Sequence, residues 1–187
     1  MLGRLSSGIC RFSTGWVALT GLVVFFVFTI TVLPAQSAQA EQSMGETNVP
    51  DLSFYYSSEQ LYKMAEGYGL EGRSAYIRAR FTFDLVWPLV YGFFLVTSLS
   101  WLSKRVFPEG SRWQVANLLP LAGVSFDYLE NISTSLVMLR YPHETWLAAN
   151  LAGIFTTLKW TSIGLSFVFL VLFCVGAVWR RLRKGKK

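Results

Sequence analysis

Long apolar stretches alternate with short polar ones along the 187-residue chain. The charged side chains Asp, Glu, Lys and Arg are absent from three stretches, residues 12–40, 85–103 and 160–179. Each stretch approaches or exceeds the roughly 20 residues that a helix needs to cross a hydrocarbon core of about 30 Å. The pattern predicts four transmembrane segments, over residues 16–34, 81–101, 114–141 and 145–179. The last is longer than a bilayer requires, so we expect it to begin as an interfacial helix and to enter the membrane near Thr157.

The first apolar segment has two interpretations. Arg4 and Arg11 precede it and the small-residue sequence 38–40 follows it, which is the order found in a secretory signal peptide. The apolar core of a signal peptide is typically 7–15 residues long, whereas this one is nearer 18. We therefore favour a retained transmembrane helix, and cleavage after Ala40 stays open.

The distribution of Lys and Arg predicts the orientation of the segments. Basic residues occupy the arm at 1–15, the loop at 102–113 and the tail at 180–187, while the turn at 141–147 has none of its own. Cytoplasmic loops carry an excess of such residues, so we expect both termini in the cytoplasm and residues 35–80 outside it. Cleavage at Ala40 would leave three spans in the same orientation.

Composition narrows the class of protein further. Charged residues make up 15% of the chain, against about 25% in an average soluble protein, and mean hydropathy is +0.40. A soluble fold is excluded, and two cysteines are too few for a disulfide-stapled domain. The net charge of +6 does not indicate nucleic acid, because six of the 17 basic residues flank the last apolar helix.

The extracytoplasmic segment at 35–80 is predicted to contain short helices. Ser57 and Gln60 form a capping box, so one helix should run from there to about Glu66, ended by Gly67 and Gly69. A second should start near Glu71 and continue straight into the second span. The segment carries five tyrosines, Tyr55, Tyr56, Tyr62, Tyr68 and Tyr76. We favour a loop anchored at the lipid headgroups by these rings over the alternative, a lid that covers an opening in the bundle.

Polar residues share one face of the predicted third helix. Asp127, Glu130, Asn131 and Thr134 follow the spacing i, i+3, i+4 and i+7. The other ionisable or hydrogen-bonding residues expected at the same level come from the second and fourth helices, namely Arg80, Asp84, Tyr91 and Lys159. At about 1.5 Å per residue, these residues lie at compatible heights in the outer half of the membrane.

An isolated charge inside a membrane is costly, so such residues pair in the bundle interior. The sequence therefore predicts Lys159 paired with Asp127 or Glu130, and Arg80 paired with Asp84 at the mouth of a polar pocket. Asn131 and Tyr91 would supply neutral hydrogen bonds. The alternative is an ion-paired plug that only fixes the register of the helices. We favour the pocket as a binding site.

Other chemistry is not indicated. His143 is the one histidine, so no zinc site is expected, and the chain has no phosphate-binding or dinucleotide-binding glycine motif. We expect no cofactor and no metal.

Three motifs carry a resemblance to a known kind of protein, the sequences at 68–73, 80–84 and 126–131. They resemble those of small bacterial integral membrane proteins with four helices, a family with no characterised activity. The resemblance implies an all-α, polytopic four-helix bundle in the bacterial inner membrane with a short helical segment between spans 1 and 2.

The resulting hypothesis is a protein that is not an enzyme and that binds a lipid head group, a small amphiphile or a membrane-protein partner in its outer-leaflet pocket. The alternative is a membrane-embedded enzyme or proton-coupled carrier that uses Glu130 or Asp127.

Overall fold

A computed structural model describes residues 2–44, 50 and 53–184. Within these residues every regular element is helical and there is no strand. The α-helices are α1 (Leu2–Phe12), α2 (Gly15–Met44), α3 (Ser58–Gly67), α4 (Gly69–Arg80), α5 (Phe83–Val106), α6 (Leu119–Arg140) and α7 (Trp146–Lys184), and a 3-10 helix covers Arg112–Leu118. The all-α fold class predicted from the sequence is confirmed.

Three stretches of helix in the described chain are long and apolar enough to cross a membrane. They are Gly15–Gln39, Gly69–Val106 and Trp146–Arg183. This finding is consistent with residence in a membrane. Helix α6, which the sequence predicts as a further span, is not among the three. Its 22 residues include Asp127, Glu130 and Asn131, and these polar side chains lower its mean hydropathy.

Several helices extend beyond the predicted segments. The predicted first segment ends at residue 34, but α2 continues through Pro34 to Met44. Proline removes one hydrogen bond from a helix, and the alanines and glutamines that follow are good helix formers, so the helix persists. The predicted interfacial helix and fourth span form one uninterrupted helix, α7, of 39 residues.

The helices of the 53–80 segment follow the predicted capping. The backbone N–H of Gln60 donates to Ser57 Oγ at 3.2 Å, and the Gln60 side chain accepts from the N–H of Ser57 at 2.8 Å, which confirms the capping box. Gly69 has a φ of +61°, a left-handed conformation that favours glycine, and it starts α4. The predicted direct entry into the second span is interrupted, since a turn at residues 81–82 separates α4 from α5.

The chain divides into two compact units. The first comprises residues 1–26, 90–123 and 161–187, and the second comprises residues 27–89 and 124–160. In the second unit the core joins α3, α4, α6 and α7 through buried side chains that include Leu61, Tyr76, Val137, Met138 and Ala149. In the first unit Leu99, Leu102 and Phe173 form a buried apolar cluster.

Candidate functional site

The polar face predicted on α6 lies in the interior of the second unit. Asp127, Glu130, Asn131 and Thr134 are all buried, and Glu130 and Thr134 have no exposed surface. The Thr134 hydroxyl donates to the backbone carbonyl of Glu130 at 2.9 Å, so it is satisfied within its own helix. The helical period of 3.6 residues explains why these four positions turn inward together.

A lysine from α7 neutralises this face. Lys159 Nζ lies 2.6 Å from Glu130 Oε2 and 3.9 Å from Asp127 Oδ1. Both of the pairs that the sequence offered as alternatives are therefore present, with Glu130 the closer partner. Lys159 is itself 3% exposed. Charges so far from water require a partner, and here one cation serves two carboxylates.

A second cation reaches the same cluster from the end of α4. Arg80 Nη1 lies 3.0 Å from Asp84 Oδ2, across the turn between α4 and α5, as predicted. The same nitrogen donates to Asn131 Oδ1 at 3.5 Å, and Asn131 Nδ2 donates to Asp127 Oδ1 at 3.4 Å. Asn131 thus links the two ion pairs into one network.

The surroundings of Arg80 differ from those predicted at a pocket mouth. Its guanidinium is buried and stacks over the Tyr76 ring at 4.5 Å. The aromatic face and the two polar partners replace the water that a residue at an opening would contact.

The segment that precedes α3 completes the cluster. Tyr56 Oη donates to Glu130 Oε1 at 2.9 Å, and Tyr56 is 1% exposed. Burial, followed by the negative charge of Glu130, raises the pKa of the Tyr56 hydroxyl above its ordinary value, so the hydroxyl stays protonated and acts as a donor.

Helix α7 holds this segment in place. Thr156 Oγ1 donates to the carbonyl of Ser53 at 3.2 Å, and Thr157 Oγ1 donates to that of Phe54 at 3.3 Å. One turn earlier, a Cβ atom at Gly153 would overlap the carbonyl oxygen of Tyr56. We call residues 53–57 the capping segment, since Tyr56 covers the buried carboxylate.

Sequence reasoning missed the role of Tyr56. Tyr56 is one of five tyrosines in residues 35–80, and the sequence predicts all five as headgroup anchors. In the structure Tyr56 and Tyr76 are fully buried, whereas Tyr55 is exposed. No local signal separates Tyr56 from Tyr55, because its partner Glu130 is 74 residues away in the sequence. The glycine at 153 was the available hint, since it permits a close approach of backbone.

Tyr91 is the remaining predicted site residue. It is buried, and it belongs to the first unit, whereas the residues described above belong to the second. Among the described residues, no group of His, Cys, Asp and Glu is placed to hold a metal ion.

The cluster provides three carboxyl groups, Asp84, Asp127 and Glu130, against two cations, Arg80 and Lys159. One carboxyl group is therefore in excess when all are counted as ionised. Such a set can accept hydrogen bonds, bind a positively charged group or carry a proton.

The chain was also compared with known proteins. It matches no protein-family model, and the searches of curated proteins and of solved structures found no significant match. Inferences about function therefore rest on the geometry of the cluster.

Proposed function

We propose that this chain is a bacterial inner-membrane protein whose four spans are α2, the α4–α5 pair, α6 and α7, with both termini in the cytoplasm. The clusters of Lys and Arg near the ends of the first unit's helices support this orientation. Contacts of α1 support retention of the N-terminal region, because Asn117 Nδ2 donates to the Ser6 carbonyl at 3.2 Å and Lys104 binds the last carbonyls of α1.

The exposure pattern of α6 supports its inclusion as a span. Its buried face is largely polar, while its exposed side chains, apart from Ser125 and Arg140, are large and apolar and include Leu129, Ile132, Leu136 and Leu139. An apolar exterior around a polar interior suits lipid surroundings and does not suit water. The helix is about 33 Å long, enough to cross the hydrocarbon core.

We propose that the charged cluster binds the polar head of a lipid or small amphiphile, without catalysis, and that the capping segment closes over it. The observation that carries this proposal is the hydrogen bond from Tyr56 to Glu130. Tyr56 lies on a non-helical segment that core packing and two hydrogen bonds from α7 hold in place, and its hydroxyl covers the buried carboxylate. Because one carboxyl group is in excess, an amine-bearing head group is the favoured ligand.

The test measures thermal stability of the purified full chain in detergent, with and without added phosphatidylethanolamine. We expect the lipid to raise the melting temperature of the wild type and to have little effect on Glu130→Gln or Asp127→Asn, because each substitution removes the excess negative charge. Glu59→Gln is the matched control, since Glu59 is exposed on α3 and pairs with the exposed Lys63 at 2.7 Å.

Equal lipid effects in wild type, control and both cluster variants would contradict head-group binding. A response that requires a co-purifying membrane protein, and that is lost in the same two variants, would instead assign the cluster to docking of that partner.

The excess carboxyl group also favours a second candidate, a proton-coupled carrier or membrane-embedded enzyme in which Glu130 or Asp127 exchanges a proton. The Glu130 carboxylate accepts a hydrogen bond from Tyr56 and pairs with Lys159, so it lies next to two groups that carry hydrogen on a polar atom. A pH-dependent activity in complemented cells that is lost in Glu130→Gln and kept in Glu59→Gln would support this candidate over passive binding.

A further inference from the structure

Helix α1 presents an apolar stripe and a separate buried face. Leu2, Leu5 and Phe12 are exposed, with Trp16 exposed just beyond them, whereas Ser6 and Cys10 are buried. The exposed residues share one side of the helix at the spacing i, i+3 and i+10. This pattern is typical of a helix that lies in the plane of the membrane interface.

Polar contacts fix α1 within the first unit. Lys104 Nζ donates to the carbonyls of Cys10 and Ser13, the latter at 2.8 Å, which satisfies the C-terminal end of the helix. On the buried face, Asn117 Nδ2 donates to the carbonyl of Ser6 and, at 2.9 Å, to the hydroxyl of Ser100. The helix is therefore held in one position against α5 and the 3-10 helix.

A cavity of about 710 Å³ lies between α1 and the start of the 3-10 helix. Its lining includes three arginines, Arg4, Arg11 and Arg112, together with Ser6, Ser7 and Gln114. No Asp or Glu of the described chain lines it. The hydroxyl of Ser6 is buried and makes no hydrogen bond within the described residues.

A cavity lined by arginines and hydroxyl groups is suited to a phosphate-bearing ligand. Guanidinium groups bind phosphate oxygens in a bidentate manner, and three of them around one cavity form a strongly anion-selective lining. The hydroxyl of Ser6 adds a neutral donor. The volume falls in the usual range of ligand sites.

We propose that this cavity binds the phosphate of an anionic membrane lipid. The apolar stripe of α1 favours a lipid as the source of the phosphate, because Leu2, Leu5 and Phe12 would hold α1 at the membrane surface. The site is distinct from the charged cluster of the second unit, and it differs from it in sign, since it is lined by cations alone.

The test uses the purified full chain in nanodiscs of phosphatidylcholine that contain a small fraction of phosphatidylglycerol. Lipid that stays bound to the released protein is measured by native mass spectrometry. Loss of a charge-assisted hydrogen bond to phosphate weakens binding roughly tenfold or more, so Arg4→Gln and Arg112→Gln should each retain at least about tenfold less phosphatidylglycerol. Arg4→Lys keeps the charge and should retain more than Arg4→Gln.

Arg181→Gln is the matched control, because it removes one exposed basic residue from the helix α7 end and leaves the cavity lining unchanged. Equal losses in Arg181→Gln and Arg4→Gln would overturn the proposal, since they would show diffuse attraction by the basic termini. Unchanged retention in Arg4→Gln and Arg112→Gln would overturn it as well. Unaltered melting temperatures of the variants show that folding is not the cause.

A second arm separates a lipid from a free anion. Inorganic phosphate at millimolar concentration is added to the wild type in pure phosphatidylcholine nanodiscs, and its stabilisation is compared with that from phosphatidylglycerol. Stabilisation by phosphatidylglycerol alone supports the lipid site. Equal stabilisation by inorganic phosphate, with no preference for phosphatidylglycerol over phosphatidylcholine, would overturn it in favour of a free-phosphate site.

Discussion

Glu130 has no exposed surface, and its two carboxylate oxygens are taken by side chains from different parts of the second unit. Lys159 of α7 pairs with one oxygen, and Tyr56 of the capping segment donates to the other. Removing one partner of a buried ion pair leaves an uncompensated charge, which costs more than the pair contributes.

Lys159→Met should therefore lower the free energy of unfolding by about 3–5 kcal/mol, because Glu130 would lose its cation. Unfolding of the detergent-solubilised protein by SDS or urea, followed by tryptophan fluorescence, measures the change. The double variant Lys159→Met, Glu130→Gln should be more stable than Lys159→Met alone, since no buried charge is left unpaired at that position. Lys63→Met, at an exposed pair, should have little effect. A double variant no more stable than the single one would contradict the pairing.

Tyr56→Phe should lower the free energy of unfolding by about 1.5–3 kcal/mol, because it removes a hydrogen bond to a charged group. Tyr55→Phe is the control, since Tyr55 is exposed. The pKa of Tyr56 is raised in the folded state, so its stabilisation is complete below the ordinary tyrosine pKa of about 10 and declines as pH rises above it. The difference between wild type and Tyr56→Phe should thus be constant below about pH 10 and narrow above it. A constant difference at all pH values would contradict the raised pKa.

At this scale the sequence predicts the charged pairs better than the neutral contacts. A buried charge in an apolar helix has few possible partners, so the pairing of Lys159 with Asp127 or Glu130 and of Arg80 with Asp84 could be predicted. Tyrosine is common both at lipid interfaces and in protein cores, so the burial of Tyr56 could not be predicted from its type or position.

Among the elements, α1 shows how tertiary contacts create a helix. Its 11 residues include two glycines and two serines, which are weak helix formers, and the sequence predicts only an arm there. Lys104 and Asn117 supply the missing stabilisation from outside the helix. By contrast, α3 carries its own capping box, and for that reason its start at Ser58 could be predicted.

Lys104→Met should release the C-terminal end of α1, because the carbonyls of Cys10 and Ser13 lose a charged donor. A charged hydrogen bond contributes about 1.5–3 kcal/mol, so amide hydrogen exchange in residues 2–12 should be roughly tenfold to a hundredfold faster. Arg105→Met is the matched control, since Arg105 stacks on Trp101 of its own helix. Equal exchange rates in the two variants would contradict the role of Lys104.

For the whole molecule, the four-span proposal can be tested by finding on which side of the membrane each terminus lies. An even number of spans places both termini on the same side, whereas the three most apolar helices alone would place them on opposite sides. The sequence predicts the long apolar helices reliably, because charge-free runs of this length are typical of membrane-spanning helices. The sequence does not decide whether α6 crosses the membrane, because its polar inner face lowers the mean hydropathy that its apolar outer face raises.

Single cysteines at exposed positions in a background of Cys10→Ser and Cys174→Ser provide the measurement. We expect an impermeant maleimide to label Glu71→Cys in intact cells stripped of their outer membrane, and to label Ser7→Cys and Arg181→Cys only after permeabilisation. Labelling of Ser7→Cys and Arg181→Cys from opposite sides would show that α6 does not cross. Absence of Ser7→Cys from the mature protein would show cleavage of the first segment.

The order of the charged residues along the chain has a consequence for biogenesis. With four spans, the ribosome delivers Asp127 and Glu130 to the insertion machinery before Lys159 has been synthesised. Helix α6 then carries two acids with no cation from α7, so it does not partition stably into lipid by itself. In the four-span proposal its integration would wait for α7, and Tyr56 would bind Glu130 only after that step. The buried ion pair would thus couple the membrane insertion of the last two helices.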